Sequence, residues 1–181
     1  MESPGFLSPA QLTGYLAFVL GVASFLQKDD RRLRAMVGLQ AFSYAVHFYL
    51  LGSGAAVAAS LVTSVRALLS LRTRSPAVAV AILAVNVLLG IATVKSAVGL
   101  LPITATTAGT IAFFFFDGIP MRVILLGSTA CWLTNNFLLG SIGGTLLELF
   151  IGVSNASTCY RLWHARPLPP PGSLPPPLSH P

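Results

Sequence analysis

Apolar residues occupy most of this chain in seven stretches, which are separated by short groups of polar and basic residues. A helix needs about 20 mostly apolar residues to cross the hydrocarbon core of a bilayer, which is about 30 Å thick. The pattern therefore predicts seven membrane-spanning helices. Their predicted ranges are 11–27, 33–52, 54–71, 76–93, 97–116, 120–139 and 142–163.

The chain also contains a weak internal repeat. Residues 12–73 align without a gap on residues 100–161, an offset of 88 (100 minus 12), with about twelve identical pairs. The clearest landmark is Leu-Leu-Gly-Ser, which occupies 50–53 and again 138–141. Internal repeats in membrane transporters commonly place a binding site at the repeat interface, so we expect any pathway to lie between the two copies.

The basic residues predict an orientation in the membrane, because Lys and Arg collect on the cytoplasmic side. The seven spans place Lys95 alone on one side, while Arg66 falls within the third span. The other side collects Lys28, Arg31, Arg32, Arg34, Arg72, Arg74, Arg122, Arg161 and Arg166. This distribution predicts an N-terminus outside the cytoplasm and a C-terminus inside it.

Span count and repeat together predict an all-α integral membrane protein with two parallel three-helix repeats joined by a linker helix. The segments are an extracytoplasmic N-terminus (1–10), the first repeat (11–74), the linker helix (75–95), the second repeat (96–163) and a proline-rich cytoplasmic tail (164–181). The prolines favour an extended tail, which is either disordered without a partner or a ligand for a PxxP-binding domain. Seven spans suffice for a pathway in one chain and leave dimers open.

Composition narrows the functional classes. The chain is 54% hydrophobic and only 9% charged, against about 25% charged residues in a typical soluble domain. The net charge of +6 does not predict nucleic-acid binding, because the basic residues lie at the ends of apolar segments. Cys131 and Cys159 lie in apolar segments, so we expect neither a disulfide nor a metal or other cofactor. The N-terminus lacks a basic n-region and a cleavage site, so we expect the first span to be retained.

The three-one-three arrangement resembles that of the SWEET sugar transporters and the wider PQ-loop group, although their Pro-Gln dipeptide is absent. The runs GYLAFVLGVASFLQKDDRR (14–32) and WLTNNFLLGSIGGTLLE (132–148), with Gln40, Tyr44 and His47 between them, resemble the bacterial inner-membrane family called YgjV. The resemblance implies a multi-pass protein of the bacterial inner membrane. It carries no catalytic or binding residues over to this chain.

Polar residues within the predicted spans are the candidates for a site. Gln40, Tyr44 and His47 share one face of the second span, because they are spaced by four and three residues. Their counterparts in the sixth span are Ser128, Trp132 and Asn135. If the two faces meet, they line a cavity; the alternative is that they only form hydrogen bonds between helices.

Charged residues inside the spans complete the candidate set. Glu148 lies roughly 10 Å from the outer start of the seventh span, at 1.5 Å per residue, and is either coupled to His47 or bonded to hydroxyl and carbonyl groups. Arg66 either extends to the cytoplasmic interface or faces inward, where it would form a layer with Asn155 for an anionic or polar group. Ser60, the repeat counterpart of Glu148, and Ser64 belong to the same candidate set.

These features favour a small secondary transporter or facilitator of a small polar solute, with the lipid bilayer as its surroundings. The alternative is a membrane receptor or a subunit of a complex, since relatives of this architecture are not all carriers. We expect no enzymatic activity, because the spans hold no paired carboxylates and a single histidine, His47.

Overall fold

The computed structural model describes residues 5–25, 30–73, 75–116 and 118–164. Most of the predicted tail and residues 1–4 lie outside these ranges. The described part contains seven α-helices and no strand. The helices are α1 (Pro9–Phe25), α2 (Asp30–Leu50), α3 (Gly54–Leu69), α4 (Pro76–Thr93), α5 (Ala97–Phe115), α6 (Gly118–Leu138) and α7 (Ile142–His164).

The helix bounds lie within three residues of the predicted spans. The largest difference is at α2, which begins at Asp30 although its apolar stretch begins at residue 33. Hydropathy marks only the apolar part of a helix, whereas the backbone hydrogen bonds continue through the basic residues at its end. α4 begins with Pro76 at its first position, where the missing N–H of proline has no helical partner to lose.

The outer surface of the bundle is apolar. α4 and α5 are long and apolar enough to cross a bilayer, and Pro9–Ser24 and Gly54–Leu69 are shorter apolar helices. α2, α6 and α7 contain 21, 21 and 23 residues, and their polar residues His47, Asn135 and Glu148 are buried. Phe137 and Val153, in contrast, are more than 70% exposed (72% and 71%). Apolar residues outside and polar residues inside are the distribution that a lipid environment requires.

The two Leu-Leu-Gly-Ser segments form the same turn. Gly52 N–H donates to Tyr49 C=O and Ser53 N–H to Phe48 C=O, both at 3.0 Å, which is a Schellman motif. The same two bonds recur from Gly140 to Phe137 (3.1 Å) and from Ser141 to Asn136 (2.9 Å). Both glycines have positive φ, 74° and 68°, a conformation that costs glycine nothing. We call this end of the bundle the turn end.

Six helices form a closed ring in the described structure. In order around the ring these are α1, α2, α3, α5, α6 and α7, and α7 contacts α1 again. α4 lies outside the ring against α3 and α5. Across the middle, the rings of Phe48 on α2 and Trp132 on α6 stack with centroids 5.7 Å apart and planes at 15°. The interior at this level is therefore filled by aromatic packing, with Ala17, Ala56 and Leu147 around it.

α1 and α7 approach closely because glycines lie at their contact. A Cβ built on Gly143 would lie 2.5 Å from the carbonyl oxygen of Gly14, a backbone atom that cannot move aside alone. A Cβ on Gly14 would in turn lie 2.8 Å from Cε1 of His47. Small residues at helix contacts permit this close approach in membranes.

We expect Gly143→Ala to lower the free energy of unfolding by about 1–3 kcal/mol, the usual range for overpacking. Thermal unfolding of the purified protein in detergent measures the effect. The matched control is Gly127→Ala on α6, where a Cβ meets nothing within 4 Å. Equal stability of the two variants would contradict the close α1–α7 contact.

Candidate functional site

His47 joins three helices at the turn end. Its side chain is fully buried, with Nδ1 2.6 Å from the carbonyl oxygen of Ala10 on α1 and Nε2 2.7 Å from Oγ of Ser141 before α7. A carbonyl oxygen only accepts, so Nδ1 carries the proton and donates it to Ala10. Nε2 is then the acceptor, and the hydroxyl of Ser141 donates to it.

The Ser141 hydroxyl is also the N-cap of α7. It accepts the backbone N–H of Gly144, three residues further on, at 3.1 Å. One chain of hydrogen bonds therefore runs from Gly144 through Ser141 and His47 to Ala10. Every polar atom of the imidazole has a partner, so His47 holds α1, α2 and α7 together.

Gln11 strengthens the same junction and was not a candidate in the sequence. It is 1% exposed, its Nε2 donates to Gly140 C=O at 2.6 Å, and its Oε1 accepts the N–H of Ile142 at 3.1 Å. The amide thus pairs with both sides of the α6–α7 turn. Gln11 lies one residue before the aligned segment 12–73, and the position at the same offset is Gly99; a polar residue at only one of these two positions was a signal that could have found it.

Two neighbouring asparagines are buried at the turn end without partners. Asn135, the counterpart of His47, and Asn136 are both 0% exposed. Neither amide nitrogen nor amide oxygen of either side chain has a hydrogen bond within the described structure. Buried amides without partners are uncommon, and they mark places where water or a ligand supplies the bonds.

Glu148 lies inside the bundle, one turn along α7 from Gly144. It is 6% exposed, and no hydrogen bond or ion pair reaches it from the described residues. Tyr44 of α2 is buried, and its hydroxyl lies 3.5 Å from Gly144 C=O, one turn from Glu148. The hypothesis of a direct Glu148–His47 couple is wrong in this structure, because both imidazole nitrogens are bonded elsewhere. Ser60, the counterpart of Glu148, is also buried and its hydroxyl has no partner.

Arg66 faces inward. Only 8% of it is exposed, and its guanidinium carbon lies 5.0 Å above the ring centre of Phe113 on α5. The Arg66 side chain therefore does not extend to the cytoplasmic interface in this structure. The predicted layer of Arg66 with Asn155 does not form, because Asn155 pairs with Arg122 instead. Nη1 of Arg122 donates to Asn155 Oδ1 at 3.1 Å, and Asn155 Nδ2 donates to Arg122 C=O at 3.0 Å.

The remaining candidates mostly join helices. Ser64 donates to Gly38 C=O at 2.8 Å between α3 and α2, and Ser128 donates to Ala105 C=O at 2.9 Å between α6 and α5. Gln40 is half-buried. Of the two predicted polar faces, Trp132 stacks across the ring on α2, but its partner there is Phe48, which belongs to neither face. The helical period of α2 correctly predicted that Tyr44 and His47 face the interior of the bundle. Their side chains, however, contact the start of α7 and not α6.

Asn86 shows that α4 also has a polar contact, which the sequence analysis missed. The side chain is 0% exposed, and its Nδ2 donates to Ile103 C=O at 3.1 Å and to Thr107 Oγ1 at 2.9 Å on α5. The only asparagine in an otherwise apolar span was the available signal. Beside it, an apolar groove of about 340 Å³ lies between α4 and α5, apart from the polar side chains of the ring.

An apolar exterior around a polar helical interior defines a helical membrane protein. Residues 8–166 match the Imp-YgjV family, a family of bacterial inner membrane proteins, and the chain belongs to this family. It is 36% identical over 154 residues to the inner membrane protein YgjV of Escherichia coli (strain K12), which covers 85% of this chain and 84% of the relative. No solved structure matches the chain. The family and the inner-membrane location predicted from the sequence are confirmed.

We expect Ser141→Ala to lower the free energy of unfolding by about 1–3 kcal/mol, because it leaves His47 Nε2 and the Gly144 N–H buried without partners. Its repeat counterpart provides the control. Ser53 precedes α3 but its hydroxyl caps nothing, so Ser53→Ala should change stability by less than about 0.5 kcal/mol. Thermal unfolding in detergent compares the two, and equal losses would contradict the structural role of His47.

Proposed function

We propose that this inner membrane protein is a non-enzymatic secondary transporter or facilitator of a small polar solute. Its two parallel repeats are α1–α3 and α5–α7, α4 is the linker, the turn end faces outward and the C-terminus lies in the cytoplasm. Movement of one three-helix unit against the other would expose a site between them alternately to each side.

Paired features of the two halves support the repeat. The contact of α1 with α7 has its counterpart in the contact of α5 with α3, and the Schellman turns recur at the same offset. The basic residues support the orientation. Arg34, Arg72, Arg122 and Arg161 are at the ends of α2, α3, α6 and α7 away from the turn end, while Lys95 follows α4 at the turn end.

The observation that carries the proposal is the uncompensated carboxyl group of Glu148. A charged side chain within the hydrocarbon region costs about 2.5–3.5 kcal/mol or more, and such residues usually face a pathway. Glu148 is buried inside the ring without an ion-pair partner among the described residues, and the unpartnered hydroxyl of Ser60 occupies the matching position of the other repeat. A polar solute between the two units would supply the missing contacts.

A receptor or a complex subunit is the second candidate, and the short bonds of Gln11 and His47 at the turn end favour it. A bundle that only recognises a partner has no need to open to both sides. Gln11 and His47 join the first and second helices to the α6–α7 region by bonds of 2.6–2.7 Å, which favours a rigid unit.

Thiol labelling separates the two functions. In a background with Cys131 and Cys159 replaced by Ala, single cysteines are placed at Tyr44, Ser60 and Glu148. For a transporter, we expect a membrane-impermeant maleimide to label Ser60→Cys in both right-side-out and inside-out vesicles. Labelling from one side alone would support the receptor and contradict transport.

The solute can be found by a thermal-shift screen of the purified protein against sugars, nucleosides, vitamins and organic acids. For the compound that stabilises it, we expect Glu148→Gln to reduce flux into proteoliposomes by about tenfold or more, the effect of losing one bond to a charged group. Thr134→Val is the control, since Thr134 is exposed and bonds only within α6. Unchanged flux and pH dependence in Glu148→Gln would contradict its role.

A further inference from the structure

Arg66 differs from the other arginines whose contacts the structure shows, because they form guanidinium hydrogen bonds, even Arg122, whose Nε is also buried without a partner. Nη1 of Arg34 donates to Ser70 C=O at 2.7 Å, and Nη1 of Arg122 donates to Asn155 Oδ1. Nη1 of Arg66 is buried and has no hydrogen-bond partner in the described part of the chain. Among the described residues, its guanidinium forms a cation–π contact with the face of the Phe113 ring. An aromatic face attracts a cation, but it does not accept two parallel hydrogen bonds as a carboxylate does.

The guanidinium of Arg66 packs against a glycine. A Cβ built on Gly109 of α5 would lie 3.3 Å from Nη1 and 3.7 Å from Nη2 of Arg66. The same point lies 3.8 Å from Oγ of Ser128 on α6. α3, α5 and α6 therefore meet at Arg66, where the absence of a side chain on Gly109 leaves room for the guanidinium itself.

The charge of Arg66 needs a counter-ion. Guanidinium stays protonated in proteins, and a cation at membrane depth costs about 2.5–3.5 kcal/mol or more unless it is compensated. The described residues form no ion pair with Arg66, and Glu148 lies about six residues, or roughly 9 Å, nearer the turn end at 1.5 Å per residue. The described side chains therefore supply no counter-charge for Arg66.

We propose that Arg66, with Phe113 beneath it and Gly109 beside it, binds the carboxylate or phosphate group of a small anionic solute. The planar fork of guanidinium matches these groups through two parallel hydrogen bonds. The position of Arg66 inside the contact of three helices favours a water-soluble anion over a lipid headgroup. This site deepens the proposed function, on which it rests, by naming an anion as the class of solute.

Binding is tested on the purified full chain in dodecyl maltoside, without any transport step. The probes are acetate, succinate, citrate and inorganic phosphate, each compared with chloride at equal ionic strength. We expect at least one probe to raise the unfolding temperature with a saturable dose dependence. Stabilisation by phosphatidylglycerol micelles alone would show a lipid headgroup site and overturn the proposal, as would no stabilisation by any anion.

Two pairs of variants locate the anion. Arg66→Gln should weaken binding by about tenfold or more through loss of a charge-assisted pair of bonds, whereas Arg72→Gln removes an exposed charge and should bind normally. Gly109→Ala should also weaken binding, because its Cβ crowds Nη1, whereas Gly127→Ala, with open space, should not. Equal affinities within either pair would overturn the site.

A measurement on the unmodified chain covers the case in which Arg66→Gln does not fold. Phenylglyoxal modifies accessible arginines, and peptide mass spectrometry quantifies each one. We expect the stabilising anion to protect Arg66 and to leave Arg72 unprotected; equal modification of Arg66 with and without the anion would overturn the proposal. Anion binding without flux would contradict transport but support the anion site at Arg66. Flux of neutral solutes without anion binding would support transport but overturn the anion site.

Discussion

Hydrocarbon offers no hydrogen-bond partner, and this constraint decides where the polar side chains of the bundle lie. Almost every contact between neighbouring helices includes a side-chain bond to a backbone carbonyl. Ser64 joins α3 to α2, Ser128 joins α6 to α5, Asn86 joins α4 to α5, and His47 joins α2 to α1. The few polar groups that remain without partners, such as Ser60, are therefore exceptions that require a functional explanation.

The contacts that correspond to each other under the proposed repeat differ in their chemistry. Between α1 and the α6–α7 turn, Gln11 donates across a distance of 2.6 Å. Between α3 and α5, the bond from Thr106 Oγ1 to Ala59 C=O is long, at 3.5 Å. The positions equivalent to Gln11 and His47 hold Gly99 and the unpartnered Asn135. One interface is thus held by side-chain bonds, while the other depends on close packing and on α4 outside it.

The sequence predicted the helices well because their length and apolarity are local properties. It also predicted the equivalence of Leu-Leu-Gly-Ser 50–53 and 138–141, since a Schellman turn depends on a few consecutive residues and one glycine. It did not predict that Asn155 would pair with Arg122, because the offset between repeats relates equivalent positions and says nothing about which ones touch. Glu148 and Arg66 were recognisable as unusual from their depth alone, whereas their lack of partners required the packing of all six ring helices.

The hydrogen bonds of Gln11 also constrain the order in which the helices can assemble in the membrane. Its side chain belongs to the first helix, but its partners, Gly140 and Ile142, are synthesised about 130 residues later. At about 5–20 residues per second, this leaves the amide without its native partners for roughly 6–26 s. The ring can therefore close only after the last helix has entered the bilayer, and until then α1 depends on water, lipid headgroups or an insertion factor to satisfy that amide.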